Sequence, residues 1–232
     1  MEPERKMRTG SIFPQWFGVS IRRRLLDRTL TSLAGRMQGY VIEVGNGRSG
    51  RRGYFRPPTD GIRQWLFVDL SAATQPHVRA DVQTLPLKTA VADTALCLET
   101  LEYVRHPEEA LRELRRVLKS HGTLILATPF LHRVDAAQDY WRFTEPALRT
   151  LLADAGFQVE AVHAQGAALA VIANILKHAV AAIPQAWMRQ PAAWLAVLPL
   201  WCLQRLDQPF ARRLPSLRTF STGYVVIART HA

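Results

Sequence analysis

Long hydrophobic runs are missing from this chain of 232 residues. The longest clean one, AAWLAVLPLWCL (192–203), is far shorter than the roughly 20 residues a spanning helix needs. A transmembrane helix is therefore not expected. Cysteine is scarce too. Cys97 and Cys202 stand far apart, each within an apolar run, so neither a disulfide framework nor a metal site is expected, and a reducing compartment is. The first residues, MEPERKMRTG, have no apolar stretch behind their charges, which argues against a secretory signal. There is no internal repeat and no low-complexity segment. Acids are few, with 19 Asp and Glu against 30 Lys and Arg, for a net charge of +11.

The shortage of acids is uneven. Residues 1–39 carry eight Lys and Arg against three acids, and residues 165–232 carry seven against Asp207 alone. Between them, residues 40–104 balance at seven and seven, and residues 105–164 at eight and eight. A nucleic-acid binder would place its basic patch on the core, so nucleic acid is not the expected partner. Basic flanks fit an anionic surface, lipid headgroups among them. The flanks are also apolar. In WFGVSIRRRLLDRTLTSLAGRM (16–37), Val19, Leu26, Leu30, Leu33 and Met37 share one helical stripe with Arg22 and Arg23 at its edge. That pattern fits either a helix on a membrane or one packed on its own sheet. Residues 165–218 are apolar and helical in pattern, interrupted by Pro184, Pro191, Pro199 and Pro209. Trp16, Trp187, Trp194 and Trp201 in the two flanks favour a membrane interface.

The middle of the chain alternates short apolar runs with helical stretches. YVIEV (40–44), WLFVD (65–69), HVRAD (77–81), TALCL (94–98), TLILAT (123–128) and FQVEAV (157–162) read as strands, and STGYVVIART (221–230) supplies a last one. PEEALRELRRVLKSHG (107–122) reads as a helix that begins at Pro107 and stops at Gly122, with Arg115, Arg116, Lys119 and His121 near its C-terminus. TEPALRTLLADAG (144–156) reads as another, capped by Thr144. The alternation predicts a mostly parallel α/β sheet with helices on both faces. Three segments follow: a basic amphipathic helical segment (1–39), a core (40–164 and 219–232) and an apolar helical insert (165–218).

The stretch VIEVGNGRSG (41–50) reads as a strand and a glycine-rich turn with a helix to follow, a place where ligands bind at the carboxyl edge of a parallel sheet. Gly45, Gly47 and Gly50 match a dinucleotide fingerprint, but Glu43 at the strand end would repel a pyrophosphate. A cationic ligand with hydroxyls suits it better. Asp69 ends the next strand, where a carboxylate can accept both hydroxyls of a ribose. Asp81, followed by Val82, ends the third strand and could reach an adenine amino group.

Glu43-x-Gly45-Asn46-Gly47 resembles the first motif of class I S-adenosylmethionine-dependent methyltransferases, and the likeness continues in order. Asp69 and Leu70 follow WLFV. Then come ADVQTLPL (80–87), DTALCLETLEYVRHPEEALRELRRVLKSHGTLILATPF (93–130) and DYWRFTEPALRTLLADAGF (139–157). This is similar to the small-molecule branch that includes quinone- and glycan-modifying enzymes. The departures are Ser49 where a third glycine is usual, a basic setting at Arg48, Arg51 and Arg52, and Tyr103 where His is common.

The resemblance implies a Rossmann-like sheet of seven strands in the order 3-2-1-4-5-7-6, the last antiparallel. It implies S-adenosylmethionine as cofactor, held by Glu43, Gly45, Asn46, Gly47, Asp69, Leu70, Asp81, Val82 and Glu99. With that topology the insert between the last two strands begins near the mouth of the site. Bases for an acceptor hydroxyl are sought after the fifth strand, where His132 is the first choice by type and Asp139 the second. Tyr140, Trp141 and Arg142 are candidates for the acceptor pocket. The expected protein is a cytoplasmic methyltransferase, peripheral on the cytoplasmic face of a membrane, for a lipid-linked glycan, quinone-like or other amphipathic acceptor. The alternatives are a non-catalytic binding module of the same fold, and a soluble methyltransferase for RNA or a small metabolite.

Overall fold

The computed structural model describes residues 15–46 and 53–231. Seven strands form one sheet in the order β3-β2-β1-β4-β5-β7-β6. They are β1 (Gly39–Val44), β2 (Ile62–Asp69), β3 (Val78–Arg79), β4 (Ala92–Leu98), β5 (Leu118–Pro129), β6 (Phe157–Ala164) and β7 (Gly223–Thr230). β1 to β5 run parallel to one another, and β7 lies antiparallel between β5 and β6. The expected fold class and strand order are both present. β4 and β7 are buried almost throughout, as unbroken apolar runs such as ADTALCL and YVVIA require when both faces are covered.

Five α-helices are described: α1 (Ile21–Ser32), α2 (Pro107–Val117), α3 (Glu145–Asp154), α4 (Ala168–Ala181) and α5 (Ala186–Arg213). On one face, Leu111 and Leu114 of α2 and Leu148 and Leu152 of α3 pack against Val44, Cys97, Leu126 and Val226. On the other, Leu26 and Leu30 of α1, with Leu33 and Met37 after it, pack against Val41, Leu96, Ile125 and Ile227. A third cluster joins Phe17 and Ile21 to Ala173 of α4 and Ala193 and Leu200 of α5.

This burial overturns the lipid-facing reading of the N-terminal stripe. Leu26, Leu30 and Met37 are fully buried against the sheet, because a parallel sheet needs both faces covered. Nor do the flanking arginines snorkel: Arg22 pairs with Glu99 and Arg23 with Asp27.

Two helix boundaries also differ from expectation. α2 ends at Val117, because Leu118 turns extended to pair with Ala92 and fill the core. Gly122 is thus a β5 residue whose N–H donates to the Thr230 hydroxyl, and His121 sits at a positive φ of 59°, away from any helix end. Between β1 and β2, the described residues 53–61 contain no helix. Within the insert, only Pro184 falls between helices. α5 runs on through Pro191, Pro199 and Pro209. Each proline removes one backbone bond, and α5 is held instead by its packed face, in which Ala193, Leu200, Asp207 and Ala211 are buried.

Candidate functional site

The chain builds β1 to β3 on one side, then crosses to the other side of β1 to place β4. Such a reversal leaves a crevice beyond the carboxyl ends of the strands, where ligands bind in open α/β sheets. A cleft of about 370 Å³ lies there. It is lined by Val44 and Gly45 after β1, Asp69 and Leu70 after β2, Asp81 and Val82 after β3, and Glu99 and Thr100 after β4. Tyr103, Arg105 and Tyr140 form its rim.

Gly45 fits this place for two reasons. Its φ is +74°, and an added Cβ would meet the Thr100 hydroxyl oxygen at 2.0 Å. The Gly45 N–H donates to the Val68 carbonyl (2.9 Å), and the Thr100 hydroxyl donates to the Val44 carbonyl (3.2 Å). The turns after β1 and β4 are thereby locked together.

The carboxylates have distinct settings. Asp69 Oδ1 accepts from the Ser71 N–H at 2.8 Å. Asp81 lies two residues past β3, and both its oxygens are held by Gln83, through the backbone N–H (2.9 Å) and the side-chain amide (3.0 Å). Gln83 in turn accepts from the His106 N–H. Glu99 sits at a φ of 56° and pairs with Arg22, which reaches over from α1.

Glu43 is placed differently from its neighbours. It is only 4% exposed and is not among the residues lining the cleft. Its Oε1 accepts from the Asn46 amide (3.1 Å) and its Oε2 from the Trp65 indole (3.0 Å). Glu43 thus braces the start of the glycine turn from below. It shares a sheet face with Asp69, since Glu43 pairs with Phe67, two residues before Asp69. Gly47 and the basic Arg48, Arg51 and Arg52 lie outside the described residues, as does Ser49.

The residues after β5 form a polar cluster beside the cleft. His132, whose side chain is only 4% exposed, faces Asp135 Oδ2 (3.2 Å) through Nε2 and Asn174 of α4 (3.4 Å) through Nδ1. The hydrogen bond from His132 holds the Asp135 carboxyl below the usual carboxylate range. Asp139 forms a two-pronged ion pair with Arg142 and accepts from the Asp135 N–H (2.9 Å). The pairing with Arg142 lowers its pKa. Neither candidate base lines the cleft, and Asp139 faces Arg142 rather than the His132 ring. The Trp141 indole donates to the Val104 carbonyl and stacks on Phe143, so its ring closes the loop onto the helix-side core. Of the three proposed acceptor contacts, Tyr140 alone lines the cleft.

Glu102 is the group that the residue pattern did not single out. It is buried, and burial pushes its carboxyl up to about 7 against the attraction of Arg22. Burial and the nearby Glu102 and Asp135 carboxylates push the Tyr103 phenol up to about 12. Burial lowers the pKa of the Arg22 guanidinium. No local sequence signal joins Arg22 to this region; the contact exists only because α1 crosses the carboxyl edge.

A Rossmann-like sheet with its cleft at the β1–β4 reversal defines a nucleotide-type ligand site. The chain has the class I S-adenosylmethionine-dependent methyltransferase fold, and the sequence family described as "Methyltransferase domain" matches it over residues 63–126. Among curated proteins it is similar to a malonyl-[acyl-carrier protein] O-methyltransferase of Enterobacter lignolyticus, at 26% identity over 132 residues. That match covers 53% of this chain, and the chain spans about half the length (51%) of the relative. Among solved structures, the [4+2]-cyclase SpnF aligns at a TM-score of 0.56 and 19% identity, over 89% of this chain and 82% of that one. Burkholderia thailandensis 1,6-didemethyltoxoflavin-N1-methyltransferase, solved with its substrate and S-adenosylhomocysteine, aligns at 0.53 and 18% identity, over 94% of this chain and 81% of that one.

Proposed function

We propose that this protein binds S-adenosylmethionine in the cleft beside β1, β2 and β4 and transfers its methyl group to an amphipathic small molecule. One observation carries the reading. In a protein of net charge +11, the described lining of the cleft has three acids, Asp69, Asp81 and Glu99, and one base, Arg105. An acidic cleft repels a pyrophosphate and attracts a cation. Its volume falls within the range of about 300–1,000 Å³ usual for small-molecule sites.

When bound, the donor supplies an electrophilic methyl group on a cationic sulfur. Asp69 is the residue to accept the ribose hydroxyls, and Asp81 with Val82 the adenine. Glu99 pairs with Arg22 at the cleft, so a cationic group on the ligand would compete with that guanidinium. For the transfer itself, the chain's contribution is to hold the acceptor in line and exclude water. The acceptor side is framed by Tyr103 and Tyr140. Its amphipathic character is supported by the insert, whose α4 meets the loop after β5 through Asn174 and His132. A lipid-linked glycan hydroxyl or a quinone-like ring suits such surroundings.

A second reading has its own support. Neither His132 nor Asp139 reaches the cleft, and SpnF shows that this fold occurs in a protein named as a cyclase. A chain that holds the cofactor without transferring its methyl group would look the same. Incubation with methyl-labelled S-adenosylmethionine and lipid or metabolite extracts separates the two. Label is expected in a small extractable product and is expected to be lost with Asp69→Asn. Tight cofactor binding with no labelled product from any extract contradicts methyl transfer and favours the second reading.

A further inference from the structure

α5 presents a face that is largely exposed in the described structure. Trp187, Trp194 and Trp201 recur every seven residues, a spacing that returns to nearly the same side of a helix. All three are exposed, Trp187 by 76%, and Leu195 and Leu198 beside them are exposed by 78% and 66%. Ala193, Leu200, Asp207 and Ala211 form the opposite, buried side. The helix is about 42 Å long at 1.5 Å per residue. Monomers rarely leave so continuous an apolar strip in water. None of the described helices is long and apolar enough to cross a membrane, α5 included.

The charge along the strip identifies its occupant. Past Trp201 the same exposed side carries Arg205, Arg212 and Arg213, and Arg205 lies 5.1 Å from the centre of the Trp201 ring. The one acid of the helix, Asp207, is buried and bonded to the Ala167 and Ala170 N–H groups. The exposed face of α5 is therefore apolar and cationic with no carboxylate. Two copies meeting through this face would set arginines against arginines with no acid to pair them. An anionic bilayer supplies both complements, acyl chains for the leucines and phosphates for the arginines, with tryptophan at the boundary.

We propose that α5 is a membrane-docking helix that lies on an anionic phospholipid surface through Trp187, Trp194, Leu198 and Trp201 and is held there by Arg205, Arg212 and Arg213. The proposal is independent of methyl transfer, and its test reads binding alone. The full chain is floated with vesicles of phosphatidylcholine and with vesicles enriched in phosphatidylglycerol. Binding is expected to the second, to weaken with salt, and to fall at least tenfold in Trp194→Glu/Leu198→Glu. Changing the three arginines to Gln is expected to lower it by roughly a hundredfold. Because these side chains are exposed, the variants should melt like the parent. For the unaltered chain, brominated lipid in the vesicles is expected to quench tryptophan fluorescence. Failure of the parent to float with anionic vesicles, equal flotation of the variants, or a stable dimer or hetero-complex that Trp194→Glu dissolves would overturn the proposal.

Discussion

Glu102 shows how a residue can be passed over in sequence yet stand out in three dimensions. It lies in the LEYV segment with nothing to distinguish it, and only the fold buries it between Arg22, Asp139 and Arg142. Its ordinary carboxyl pKa is near 4.5 and its folded value is about 7. Between those values the folded state keeps a proton that the unfolded chain releases. The stability it contributes is therefore present below about pH 4.5 and is lost as pH rises to about 7. Glutamine has the same shape without the charge. Glu102→Gln is expected to melt a few degrees above the parent near pH 8 and at about the same temperature near pH 4.5. A uniform difference at both values would contradict a buried ionising Glu102. Asp69 and Asp81, by contrast, were legible because strand ends are predictable and an acid there points to the ligand edge. The settings of His132 and Asp139 were not, since their partners Asn174 and Arg142 are fixed by how the insert and the loop pack. Glu43 was legible as a motif residue; its burial beneath the turn, with bonds to Asn46 and Trp65, was not, since Trp65 comes from the neighbouring strand.

At the scale of elements, α4 has no capping side chain of its own, because its N-cap is Ala167. The cap comes from α5. Asp207 accepts from the Ala167 N–H at 2.8 Å and from the Ala170 N–H at 2.9 Å. Removing a cap costs roughly 1–2 kcal/mol, so Asp207→Ala should lower the melting temperature by about 2–8 °C, with Asp207→Asn retaining part of the loss. An unchanged melting curve would show that the cap contributes nothing. The strands and α3 were readable from periodicity and from Thr144, whose hydroxyl accepts from the Ala147 N–H. Helix ends were less so. The apolar Leu118 reads equally as a last helical residue or a first strand residue, and pairing with Ala92 decides for the strand. Likewise the prolines of the insert read as breaks, yet the buried face of α5 outweighs the bonds they remove. The stripe on α1 was visible from the sequence; what it covers was not, since a sheet and a bilayer ask for the same pattern.

Across the whole molecule, charge is sorted by place. The acids of the cleft sit at the carboxyl edge of a balanced core, while the excess of arginine is carried by the flanks and is exposed on α5. This separation would allow one chain to hold a cationic donor and meet an anionic surface without either field cancelling the other. The basic flanks were legible as composition and the acids of the cleft as residues at strand ends; that Asp69, Asp81 and Glu99 line one cleft with a single described base, Arg105, took the fold. Calorimetric titration of the full chain with S-adenosylmethionine and S-adenosylhomocysteine, against a nicotinamide dinucleotide as control, tests that sorting most directly. Saturable one-to-one binding of the first two is predicted, with no heat from the dinucleotide and a weakening of at least tenfold in Asp69→Asn, as expected for loss of a charged acceptor. Binding of the dinucleotide in their place, or binding of the donor that Asp69→Asn leaves unchanged, would contradict the account.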